Sequence, residues 1–536
     1  DVDPSLGKET LDFYSKCYSR NPTDPLVSPL FGDVSGLPPS LIFAGKDEVL
    51  LDDSRRMHNK LVSSGCTSEL VEAEGMWHAY VLYCIKERAC DLDRINAFLN
   101  RFLSHERKLR WMRLDNAAKI YPAAKRRKWN NFFRLAATLC DEVDKTVLRN
   151  AMDVTMRRFP SIAVRLCRGA FWYYLEELSS APEITDEKSW PLAHTPFESI
   201  NECAMRVIVY KNRIAVEFYH ALTDGTGGMV FLKSLLAEYI EQKYGVEIPN
   251  ECGVLDRLTQ PQEEELEDSF SKNAGSVSVS RNASTAFKIH YTPERDDFRH
   301  LTTFILDSNA ALAAAKSCGV SLTVYLTSAM LLALQRIQDE QTPDKRRQKP
   351  IRDVVPVNLR RLFPSRTLRN FVHVIMPEID PRMGDYEFSE ILTSVKHQLG
   401  LLVTKKNLCA MFTPNVNAER SPLLRVMPLF LKNIAMKLVY DTVGERTNCL
   451  NLSNLGDIKV PDAMRRYVTR FDFILGVQAT KPNNCGVLSY NGKLYMNFIR
   501  NTVESVLEFQ FYQVLRELGL HVKVESNGAG NVLMPN

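Results

Sequence analysis

The residues best placed to do chemistry together form one short run, His220-Ala221-Leu222-Thr223-Asp224-Gly225, followed by Thr226, Gly227 and Gly228. Histidine's unperturbed pKa lies close to neutrality, so it can take a proton from a hydroxyl or amine and return it. Asp224 lies too far along a tight turn to be assumed the partner of His220. An ion pair with a distant arginine, holding the loop, is the expectation for it. Gly225 is expected to supply backbone angles that other residues resist. A second set lies upstream, with Asp47 in Gly45-Lys46-Asp47-Glu48 and His78 in Gly75-Met76-Trp77-His78. Each follows a strand-like segment.

The elements around His220 are legible from periodicity. Ala204–Tyr210 and Arg213–Tyr219 alternate in polarity, and Lys211-Asn212 is a turn-sized break, so a hairpin is expected. Ile214, Val216, Phe218 and His220 share one face of the second strand and should point inward. Phe231, Leu232, Leu235, Leu236, Tyr239 and Ile240 recur at helical spacing, which starts a helix near Gly227.

That His-x-x-x-Asp-Gly motif in a strand–turn–helix setting resembles the chloramphenicol acetyltransferase-like superfamily, which includes condensation domains and alcohol O-acyltransferases. The segment Trp111-Met112-Arg113-Leu114-Asp115-Asn116-Ala117-Ala118-Lys119-Ile120-Tyr121-Pro122 resembles the opening of alcohol acetyltransferase-like proteins. The resemblance implies α/β subdomains at about 105–285 and 286–536, with a solvent channel at their interface and His220 near its middle. It makes His220 the general base and Asp224 mainly structural. It also implies a coenzyme A or phosphopantetheine thioester as co-substrate, free or on a carrier protein, and an alcohol or amine acceptor. No tightly bound cofactor is expected. Pro356-Val357-Asn358-Leu359 running into Arg360-Arg361 is similar to another segment of that family, so Arg360 is the candidate for a donor contact or for the partner of Asp224. Ser453-Asn454-Leu455-Gly456 ends a strand where the family places an oxyanion donor, making Asn454 or Ser453 the candidate.

Residues 1–104 alternate strand and helix patterns, which argues for a parallel α/β arrangement. Asp24-Pro25-Leu26-Val27-Ser28-Pro29, Gly36-Leu37-Pro38-Pro39 and the two loops carrying Asp47 and His78 resemble the C-terminal part of a hormone-sensitive-lipase-type α/β-hydrolase. By that resemblance Asp47 orients His78 as base, in the chain order Ser, Asp, His. No Gly-x-Ser-x-Gly occurs, and the first residue is Asp1. The expectation is that the serine lies upstream, the other account being a docking remnant without chemistry. The rival function for the whole is accordingly a carboxylesterase, with the larger region as a binding module.

Composition constrains the rest. A net charge of +4 over 536 residues argues neither for nor against nucleic acid. Twelve cysteines without C-x-x-C spacing indicate neither zinc nor a disulfide framework, and a cytoplasmic setting is the simplest. No apolar run reaches bilayer length, so no membrane span is expected. Lys125-Arg126-Arg127-Lys128 reads as a solvated edge, with a donor-phosphate contact as the alternative. Trp172-Tyr173-Tyr174 reads as core rather than tunnel wall. The Glu-, Ser- and Asn-rich stretch 247–285 reads as a crossover with little core, and 421–443 as one packed amphipathic helix rather than a membrane anchor.

Overall fold

In the first hundred residues, Ser40–Gly45 and Ser68–Ala73 pair in parallel with Ser40 opposite Ser68, and the helix Leu51–Ser63 makes the crossover such pairing demands. A further helix, Ala89–Phe102, follows. The computed structural model describes residues 3, 7–83, 85–102, 109–123, 131–279, 284–295, 297–478 and 481–528. The basic run 125–128 lies outside them. The chain separates into units at 1–108 and 109–536, each described by itself below.

The larger unit holds two main sheets. The first runs Val468–Ile474, Phe132–Leu139, Arg213–Tyr219, Met205–Tyr210 and Ile184–Asp186. Both faces of Arg213–Tyr219 are buried, because Glu217, on the face opposite Phe218, pairs with Arg206 and approaches Arg134. Alternation in the sequence correctly marked the apolar face, but the polar face is covered too. Val468–Ile474 comes from the C-terminal half and pairs antiparallel with Phe132–Leu139, so the division expected at 285/286 is crossed by a strand.

The second sheet runs Val372–Ile375, Ile351–Asn358, Leu450–Asp457, Asn483–Tyr490, Lys493–Arg500, His300–Asp307 and Lys523–Ser526. Within Asn483–Tyr490, Cys485 and Val487 join the core beneath the helix Leu322–Gln341, while Leu488 and Tyr490 join the core of the first sheet. One sheet thus separates two apolar layers, and each layer is filled from opposite faces of the same strands. Helices Phe388–Leu402 and Lys405–Arg420, which the sequence reading did not mark out, cover its far side.

Two expectations need correction. The 247–285 stretch is better anchored than its composition suggested: Phe270 and Ser269 are buried, and Arg158 grips Glu265 bidentately at 2.6 and 2.7 Å. The 421–443 stretch is not one helix. Pro428, which cannot donate to the preceding turn, separates Pro422–Val426 from Leu429–Val439.

Glu265→Ala would strand the buried Arg158 guanidinium without a counter-charge, an effect of about 3–5 kcal/mol for a buried pair broken on one side. Urea unfolding should show that loss, whereas Glu263→Ala, on the exposed face of the same turn, should leave stability within experimental error.

Candidate active site

Strand register positions His220. Phe133 lies opposite Phe218, and His220 N donates to Asn131 O at 2.9 Å, beyond the last paired rung at Phe132 and Tyr219. Alternation then carries the ring to the inner face with Phe218. Tyr121 stacks on it with centroids 4.7 Å apart, and Phe133 meets it edge-on at 5.1 Å.

Asn370, in the segment leading into Val372–Ile375, sets the tautomer. Its Nδ2 donates to Asp115 Oδ2 at 3.2 Å and to the His220 carbonyl at 3.0 Å. Those two acceptors fix the amide nitrogen on that side, so Oδ1 faces His220 Nδ1 at 3.1 Å and accepts its proton. Nε2 is left as the basic nitrogen. Burial of the ring among aromatic neighbours lowers its pKa below the ordinary 6.5, against the opposing pull of its own backbone, Asp224 and Asn370. The imidazole is therefore neutral at pH 7. Asp115 is itself fully buried, and burial pushes its carboxyl up to about 6 although Arg369 Nε lies 3.7 Å away.

Asp224 caps the helix Gly225–Tyr244, its Oδ1 accepting from Thr226 N and Gly227 N at 3.1 Å each. Its Oδ2 accepts from Arg360 Nη1 at 2.8 Å and from Phe371 N at 2.9 Å. The remote arginine expected for this aspartate is thus Arg360, which also donates to Thr367 O at 2.8 Å and to the Arg369 carbonyl. With its guanidinium engaged this way, Arg360 braces the loop rather than presenting itself to a donor.

Gly225 needs a different explanation from the one its sequence context suggested. The helix starts at Gly225, not near Gly227, and Gly225 is absent from the positive-φ positions. A Cβ there would sit 2.7 Å from Leu455 Cδ2, so the constraint is packing. The tighter approach is at Gly227, where a Cβ would fall 2.1 Å from the Leu368 carbonyl oxygen.

Other expectations are corrected by geometry. Asn454 donates to Thr323 Oγ1 at 3.3 Å and accepts from Gly456 N at 2.8 Å, so its amide serves the N-terminus of Leu322–Gln341 and its own turn. Ser453 shares a strand face with Leu455, the residue that packs on Gly225. A cavity of about 950 Å³ brings together Trp111, Arg113, Leu114 and Lys119 with Trp172, Glu419 and Arg425, but His220 is not in its lining. The channel expected to run past His220 is therefore not this cavity: Leu114 and Lys119 line it, while Tyr121 stacks on the histidine. Phe171, Trp172, Tyr173 and Tyr174 all line it, and of these Tyr173 also packs against the core of the first sheet. In the smaller unit, Asp47 is exposed, and the carboxylate beside His78 belongs to the buried Glu48, Oε2 to Nδ1 3.4 Å. The two loops approach so closely that a Cβ on Gly45 would lie 2.1 Å from Met76 O.

Sequence reasoning missed Asn370, Asp115 and Tyr121. The last two lie inside the quoted Trp111–Pro122 segment, where nothing but the distant histidine reveals their use. Among the described residues, no group of histidine, cysteine, aspartate and glutamate could hold a metal ion.

Arg360→Ala should leave the Asp224 carboxylate buried and unpaired, lowering stability by roughly 3–5 kcal/mol, measurable as a fall in denaturation midpoint. Gly227→Ala, which must displace backbone, should cost more than Gly225→Ala, which need only move a leucine tip; overpacking of this kind costs about 1–3 kcal/mol.

Residues 2–82 match the family model for the alpha/beta hydrolase fold. An esterase of Acinetobacter venetianus is 42% identical over 62 residues, 12% of this chain and 20% of the relative. An acetyl-hydrolase of Streptomyces hygroscopicus is 40% identical over 63 residues, 12% of this chain and 21% of the relative. The chain thus spans about a fifth of the length of these curated relatives. Among solved structures, polyketide synthase associated protein 5 from Mycobacterium tuberculosis is similar at a TM-score of 0.47, with 13% identity over 76% of this chain and 98% of that one. Trichothecene 15-O-acetyltransferase from Fusarium sporotrichioides gives 0.45, with 13% identity over 77% and 94%. The epimerization domain of the third module of tyrocidine synthetase B gives 0.49, with 13% identity over 77% and 96%. Mixed α/β throughout, the chain carries an α/β-hydrolase-fold segment at residues 2–82, and the solved structures similar to it include an acetyltransferase and a condensation domain.

Proposed function

We propose that the unit 109–536 catalyses acyl transfer from a thioester, on coenzyme A or a carrier protein, to an alcohol or amine, with His220 as general base. The observation that carries this reading is the proton inventory of the imidazole: Nδ1–H is committed to Asn370, and burial keeps the ring neutral. Nε2 can then take the acceptor's proton as the acceptor oxygen or nitrogen attacks the thioester carbonyl. A C–O or C–N bond forms, the C–S bond breaks, and His220 returns the proton to the departing thiolate. No covalent acyl-enzyme is needed, because the thioester is already activated.

Asn370 acts as a positioning residue. Its bonds to Asp115 and to the His220 carbonyl hold the acceptor oxygen on Nδ1, so the basic nitrogen does not exchange sides. Asp224 and Arg360 hold the turn that presents the ring. Ser453 is the remaining candidate for an oxyanion donor, since Asn454 is occupied elsewhere.

A second reading concerns the smaller unit. Its 42% identity to an esterase over 62 residues, with His78 beside Glu48, favours an ester-hydrolysing function for that region in company with a serine nucleophile. A fluorophosphonate probe tests it: with the serine expected upstream, this chain alone should stay unlabelled, and a form extended upstream that also stays unlabelled would refute the reading.

His220→Ala should reduce thiol release from acyl-CoA in the presence of alcohols by about a hundredfold to ten-thousandfold, the range for a positioned base, with the melting temperature little changed. Retention of most activity would refute the assignment. Because the imidazole must be neutral, the rate should fall as pH drops through the lowered pKa, placing the acid limb below 6.5, with a plateau above. Asn370→Leu should shift that limb as well as lower the rate, which loss of packing alone would not do.

A further inference from the structure

The helix Leu429–Val439 is inside out. A helix on a water-facing surface turns its apolar stripe to the core and its cations to solvent. Here Lys432 is 2% exposed, while Phe430, Leu431 and Ile434 are 56, 43 and 65% exposed. Lys432 is held from within: Nζ donates to Phe171 O at 2.9 Å and sits 3.6 Å over the Trp172 ring. Leu429 N donates to Ala170 O at 3.0 Å, and Asn433 Nδ2 donates to the Tyr173 hydroxyl at 3.2 Å. The side carrying Leu429, Lys432 and Asn433 is thus the side bonded to the protein, and its orientation is fixed by several contacts.

The apolar surface continues past the helix. Val426, in the preceding turn, is 68% exposed, and Phe171, whose carbonyl holds Lys432, is 48% exposed. Apolar side chains this exposed and contiguous mark an interaction surface rather than scattered exceptions. Charge indicates what covers it. From Ser421 to Tyr440 there is no aspartate or glutamate, while Arg425 and Lys437 are exposed. Among the described residues, no single helix is long and apolar enough to cross a membrane.

We propose that Val426–Ile434 docks flat on an anionic phospholipid surface, with Phe430, Leu431 and Ile434 in the acyl boundary and Arg425 and Lys437 at the headgroups. An amphipathic helix with apolar bulk on one side and basic residues beside it lies in the interface plane and does not span. The docked face adjoins the cavity, since Phe171, Trp172 and Arg425 belong to its lining.

The test is co-sedimentation of the full chain with phosphatidylcholine vesicles, with and without phosphatidylserine. Binding should require phosphatidylserine and weaken with added salt. The double variant Phe430→Ser, Ile434→Ser should bind roughly tenfold more weakly, with an unchanged melting temperature. His220→Ala should sediment like the unaltered chain, so docking and acyl transfer fail or succeed separately. The proposal is overturned by absence of binding to phosphatidylserine vesicles, or by a double variant that binds normally. It is equally overturned by a double variant that melts early, which would mean the face is packed. Light scattering that shows a dimer abolished by the double variant, without vesicle binding, would assign the face to a second copy of this chain instead.

Discussion

One buried carboxylate organises the larger unit. Asp224 accepts from two backbone amides of its own helix, from the Arg360 guanidinium and from Phe371 N. A carboxylate removed from water is costly unless its lone pairs are filled and its charge is met. Here both conditions are satisfied only when Leu359–Phe371 of the C-terminal half lies against the turn after Tyr219. The same docking brings Asn370, next to Phe371, onto His220. Folding of the halves together and assembly of the site are thus one event, not two.

The electrostatics around the histidine follow from that burial. Arg369, Asp115, Asn370 and His220 form, in that order, a chain in which each group meets the next. Desolvation raises the carboxyl of Asp115 and lowers the imidazole pKa, so the two shifts have a common cause and opposite sign. A neutral imidazole beside a hydrogen-bonded amide is what a proton acceptor needs. A structural histidine needs neither a directed tautomer nor a free second nitrogen.

Local order explains which elements were legible. The hairpin Met205–Tyr219 and the helix Gly225–Tyr244 carry strong period signals, and they stand within a few residues of expectation. The single helix read across 421–443 failed because periodicity continues through Pro428 while the backbone hydrogen bonds do not. It was also read as packed by its apolar stripe, but the stripe faces outward. Nothing local distinguishes an inward from an outward apolar face: that is decided by where Lys432 finds Trp172.

The sequence by itself determined that a histidine ends an inward-facing strand row, that a helix follows the glycines after Asp224, and that a parallel α/β segment precedes them. These are properties of neighbours along the chain, set by side-chain alternation and by helical spacing. Only the tertiary structure decided which arginine meets Asp224, which nitrogen of His220 is basic, that Glu48 rather than Asp47 stands by His78, and that the aromatic run at 171–174 walls a cavity. Each depends on groups brought together from far along the chain, Asn370 on His220 across 150 residues among them, and pairings over such separations leave no periodic trace in a single sequence.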